Sequence, residues 1–223
     1  MPDTLPLDAL IARRADLLRA YQNAGLAQRY LDGVARIAAA ARSERVGDND
    51  LPRVVAETYA KVLAYKDEYE VARLYSLPAF RAGLEAEFSG PYRLSLNLAP
   101  PILSGKASDG RPKKREFGAW ILPVLGLLAR FKFLRGSWAD PFGHSHDRKL
   151  ERDLIAHYED DLTLAEQVLS TETLQLVRDL LSLPLEIRGY GPVKQAAYQK
   201  QMARREDLRA TLQGNSPVAM AAE

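Results

Sequence analysis

The chain has 223 residues, 47% hydrophobic and 27% charged, with a formal net charge of +2. That is the composition of an ordinary globular protein, long enough for one large domain or two small ones and for a core without covalent staples. The absence of cysteine excludes disulfides, thiolate nucleophiles, cysteine-based zinc sites and cysteine-bound iron–sulfur clusters, and a pI of ≈ 8.7 falls short of the basicity of a protein that coats nucleic acid.

The opening stretch, MPDTLPLDALIARRADLL, carries charges throughout and no uninterrupted apolar core, unlike a signal peptide. Asp8 or Thr4 caps a first helix. Apolar residues then recur at near-helical spacing from Leu7 through Leu18, Tyr21, Leu31 and Ile37 to Ala41. Gly47 and Asp48 break the pattern. Asp50 caps the next helix, with Pro52 in its first turn, and the spacing carries it through LAYKDEYEVARLY to about Ser76–Pro78. A short helix, LPAFRAGLEAEF, follows.

The period then changes to two at Tyr92, Leu94, Leu96 and Leu98, which predicts a strand ended by Pro100 and Pro101. A polar loop leads to an apolar helix from about Phe117 to Leu134, bent or begun by Pro123. Its apolar run falls well short of the roughly 20 residues of a membrane span. After the connector RGSWADPFGHSHD, helices are expected from Asp147 to about Leu169, from a Ser170 cap to before Pro184, and from about Val193 to Leu212. The expected fold is mainly α: one helical domain over 1–223 of about six to eight helices with a short strand or hairpin around 92–99. Its ordered core covers about 5–213, with a disordered tail at 214–223.

Within LAYKDEYEVARLY, a continuous helix would put Leu63, Asp67, Val71 and Leu74 on one face and align Lys66, Glu70 and Arg73 as an ionic ladder. Asp67 then sits among aliphatics and needs a cationic or hydrogen-bonding partner. The suppliers nearest in kind are Lys113, Lys114 and Arg115. A catalytic carboxylate is the minority alternative.

Other clusters carry weaker signals. His144 and His146 form a His-x-His pair, with His157 eleven residues further on. Zinc needs at least three well-placed ligands, so a polar loop is the simpler reading. Arg111, Lys113, Lys114 and Arg115 bring donors and positive charge suited to a phosphate. A solvated basic loop, or one that pairs with acidic residues elsewhere in the fold, is the simpler reading, and the aromatic residues that stack bases are missing there. RGYGPVK, with Lys194 in a first helical turn, could hold an anion or be a structural turn. HYEDD at 157–161 reads as a solvated helix face. Nucleotide-binding and nucleophile-elbow fingerprints are absent.

Several ordered stretches (AYKDEYEVARLY, NLAPPIL, GRPKKREFGAWILPVLGLLARFKFLRG, DPFG, ERDLIAHYE and LPLEIRGYGPVK) together resemble the C-terminal domain of the long, fused indolepyruvate ferredoxin oxidoreductases, over roughly 7–212. The resemblance implies a full enzyme that uses thiamine diphosphate with magnesium, iron–sulfur clusters and ferredoxin to convert an arylpyruvate to its acyl-coenzyme A. This chain carries neither cluster-holding cysteines nor the glycine–aspartate–glycine motif of thiamine enzymes, so it corresponds to a tail domain that does not catalyse alone. No catalytic residue and no metal ligand is carried over. The expected role is accessory and cytoplasmic, with the remaining domains of the same enzyme as partners, ferredoxin reached through them, and a homodimer as a further expectation. Two alternatives stay open: binding coenzyme A or another phosphate ligand through Arg111, Lys113, Lys114 and Arg115, and an independent helical module touching protein or RNA. Neither a membrane nor nucleic acid is an expected partner.

Overall fold

A computed structural model describes residues 4–46, 50–99, 115–189 and 191–214. Along the described chain run α1 (Leu7–Tyr21), α2 (Ala24–Ser43), α3 (Asp50–Leu63), α4 (Glu68–Ser76), α5 (Pro78–Glu87), β1 (Ser95–Leu98), β2 (Arg115–Gly118), α6 (Ile121–Arg130), α7 (His146–Val168), α8 (Leu174–Ser182) and α9 (Pro192–Gly214), with 3-10 turns at Phe131–Leu134 and Leu183–Glu186. The fold is mainly helical with one short antiparallel hairpin, in which Ser95 faces Gly118 and Leu98 faces Arg115. The strand's partner is therefore β2, formed by Arg115 and Glu116 of the expected polar loop with Phe117 and Gly118, which the apolar spacing assigned to a helix. Gly47 to Asn49, Pro100 to Lys114, Tyr190 and 215–223 lie outside the described residues, and with them the turn at Gly47 and Asp48, most of the basic loop and most of the expected tail.

The chain divides into two compact units, Met1–Tyr65 with Leu150–Glu223, and Lys66–Lys149. The first is a helical core. Leu10, Leu18, Tyr30, Ile37, Val55, Leu63, Leu162, Val177, Leu180 and Leu212 are all fully buried in it. The apolar spacing of the first forty residues does not form one helix. Asn23 interrupts it because its side chain accepts from the Leu26 amide (2.9 Å) and caps α2. Helices α2 and α3 approach closely at Gly33, where an added Cβ would stand 2.7 Å from the Tyr59 ring. Tyr59 in turn lies between Tyr30 and Tyr158, with ring centroids 6.1 and 5.4 Å away. Ser170 and Thr173 lock the turn into α8 through reciprocal bonds between their backbone amides and side-chain oxygens.

The second unit has a small core of Ala72, Leu96, Ile121 and Leu125, fringed by half-buried Tyr75, Leu98, Phe117 and Leu128. Helix α4 packs along α6, where the side chain of Ser76 faces Gly126. Pro123 falls in the first turn of α6, where its missing N–H costs no helical hydrogen bond.

Candidate functional site: an ionic cluster and an exposed apolar helix

The helix expected to run unbroken through LAYKDEYEVARLY stops at Leu63 and restarts at Glu68. Asp67 is the reason. It sits in extended backbone, and its carboxylate accepts from the Glu70 amide (2.8 Å), capping α4. The aspartate expected within a helix face is therefore a helix start. Asp67 is 3% exposed, so its charge needs compensation, and that comes from Arg135 through a two-point contact, with Nη2 3.0 Å from Oδ1 and Nε on Oδ2. The partner is Arg135 in place of the expected Lys113, Lys114 or Arg115. Of the ladder expected from Lys66, Glu70 and Arg73, Glu70 and Arg73 pair through two contacts of 2.7 and 2.8 Å. The Lys66 carbonyl instead accepts from Arg148, which also reaches Glu68.

A second carboxylate completes the cluster. Asp140, in the DPFG turn, is buried and accepts from the Tyr69 hydroxyl (3.1 Å), the Gly136 amide (2.9 Å) and the Phe142 amide (3.0 Å). Tyr69 lies edge-on to Phe142, and the Arg135 guanidinium stands 5.6 Å from its ring centre. Burial, reinforced by Asp140 and Asp67, raises the Tyr69 pKa, so it stays a neutral donor. Gly143 has no room for a side chain, because a Cβ there would meet Asp140 Oδ2 at 2.9 Å. Each carboxylate is hydrogen-bonded by several partners, an arrangement that holds a fold in place.

Beside this cluster, α6 is apolar on almost every side, yet only Ile121 and Leu125 are buried. Trp120, Val124, Leu127 and Phe131 recur at i, i+4, i+7 and i+11, one helical face. They are 64%, 50%, 57% and 40% exposed. Phe117 meets Trp120 at one end of the stripe and Phe133 meets Phe131 at the other. Leu74 and Leu77, on or next to α4, are exposed as well. A helix apolar all round belongs in an interior, and contiguous exposed apolar surface marks an interaction site. The sequence displayed this stripe, but its composition suggested a core helix.

The remaining candidates resolve by position. Arg111, Lys113 and Lys114 lie outside the described residues, whereas Arg115 is exposed at the start of β2. His144 is exposed, His146 begins α7, and the His157 carbonyl accepts from Arg205. Among the described residues no group of His, Cys, Asp or Glu is placed to hold a metal. HYEDD is no solvated face: Tyr158 and Asp161 are buried. Glu159 accepts from Arg29 and the Tyr59 hydroxyl, and Asp161 is bound by Arg205 and Arg209. Lys194 binds Glu151. No helix of the described residues is long and apolar enough to cross a membrane.

The chain belongs to a family described as "Family of unknown function (DUF6537)", which matches residues 7–207. No curated protein and no solved structure matches it.

Proposed function

We propose that this chain is an accessory, structural domain of a thiamine diphosphate-dependent indolepyruvate ferredoxin oxidoreductase in the cytoplasm, docking on the enzyme's remaining domains and contributing no catalytic group. Two lines support this reading. The ordered motifs from AYKDEYEVARLY to LPLEIRGYGPVK resemble the C-terminal domain of such enzymes. The observation that carries the role is the α6 face: Trp120, Val124, Leu127 and Phe131 stand exposed in a row, while the carboxylates of the neighbouring cluster are bound to Arg135, Tyr69 and backbone amides. Rigid support beneath an apolar face suits docking better than turnover.

The test is deletion of this region from the full-length oxidoreductase, read by sedimentation and by reduction of ferredoxin with indolepyruvate and coenzyme A. The expected result is loss of assembly together with loss of turnover. Normal assembly and normal turnover would contradict the proposal.

A further inference from the structure

We infer that the α6 face binds a protein surface of apolar residues bordered by carboxylates, with the apolar stripe as contact centre and Arg115 and Arg130 as charged ends. The inference rests on the accessory-domain reading in taking the occupant to be a protein, and it adds the chemistry of that occupant and the residues that meet it.

Charge complementarity selects the partner. From Arg115 to Ala139 the chain holds the cations Arg115, Arg130, Lys132 and Arg135 against a single acid, Glu116. Arg135 is bound to Asp67. Lys132 is only partly exposed, and Arg73 and Arg135 nearby are paired with Glu70 and Asp67. Arg130 is exposed in the last helical turn and Arg115 is exposed in β2. These two exposed cations flank the stripe, and a partner gains on-rate and register by presenting carboxylates to them.

A second copy of this chain would bring the same cations to the same border, which disfavours self-association through the face. An anionic lipid surface is a weaker fit. Lipid recognition relies on clusters of about four to eight Lys or Arg, whereas of these four cations only Arg115 and Arg130 are exposed. Two exposed charges that flank in sequence a stripe about 16 Å long match carboxylates at set positions on a folded partner. Aromatic and leucine side chains in a solvent-excluding centre are the usual anchors of such an interface.

The two tryptophans of the chain supply the readout. Trp138 is 91% exposed, so Trp138→Phe leaves Trp120 as the only tryptophan, excited selectively over the tyrosines, with little effect on folding. This variant of the full chain is titrated with an amphipathic helical peptide of leucine and glutamate, with the same peptide carrying lysine for glutamate, with phosphatidylcholine vesicles, and with vesicles containing phosphatidylserine. The expected result is a saturable blue shift of Trp120 emission with the glutamate peptide, at least tenfold tighter than with the lysine peptide and weakened by salt. Arg130→Glu should reverse the peptide preference, and Leu127→Glu should abolish the shift. Circular dichroism checks that both variants fold, and Val124→Glu replaces Leu127→Glu if that one does not. Equal response to both peptides, a response to vesicles alone, a shift that grows with protein concentration alone, or no shift at all would each overturn the inference. None of these outcomes bears on the deletion of the whole domain, so the face can fail while the accessory role stands.

Discussion

Asp67 shows how much depends on one side chain. It ends one helical run, starts another and anchors Arg135. Both members of the pair are almost wholly buried, so removing one leaves an uncompensated charge. Arg135→Met should lower unfolding stability by about 3–5 kcal/mol, read by chemical denaturation. A change within experimental error would show that the pair is not the anchor. A steric test applies at Gly33, where the space is taken by the Tyr59 ring. Gly33→Ala should cost about 1–3 kcal/mol through overpacking, despite alanine's better helix propensity. Increased stability would mean that α2 and α3 do not approach as described.

At the scale of elements, the helices starting near Asp50, Asp147 and Val193 and the strand around Leu96 were legible, because the residue spacing and the turn residues between them agreed there. Two breaks were not. Asn23 and Asp67 stand inside stretches whose apolar spacing carries straight through, and only their capping geometry interrupts the helix. For Asp67 the local signal existed: an aspartate followed three residues later by Glu70 resembles a capping box. Its partner Arg135 is 68 positions away, beyond any local pattern. Strand β2 was hidden because Phe117 and Gly118 adjoin the apolar run of α6. The clamp on α9 was hidden too. That mostly polar helix is tied to α7 by Lys194 on Glu151 and by Arg205 and Arg209 on Asp161. Asp161→Ala should therefore destabilise the first unit by about 1.5–3 kcal/mol and speed amide exchange in α9 more than in α2. Equal exchange in both helices would contradict the clamp.

At the scale of the molecule, buried tyrosines give a pH dependence with a definite sign. Burial raises the pKa values of Tyr30, Tyr59 and Tyr158 above the ordinary 10.0, and raises that of Tyr69, where Asp140 and Asp67 reinforce it. The folded chain then holds protons that the unfolded chain loses above pH 10, so these groups contribute stability that falls as pH rises from there. Alkaline unfolding should be cooperative, with tyrosinate absorbance rising together with the loss of helical circular dichroism. Full tyrosine ionisation in a still-helical chain would contradict this.

Glu159 and Asp161 of HYEDD, Asp140 of DPFG and Asp67 of LAYKDEYEVARLY are tied into the architecture of their own units, and within the second unit the α6 stripe faces outward. Comparison of amide exchange in the isolated chain with the same region inside the oxidoreductase proposed as its parent tests this most directly. Slower exchange across residues 115–138 within that proposed parent is the predicted result. Identical exchange there in both settings would contradict the account.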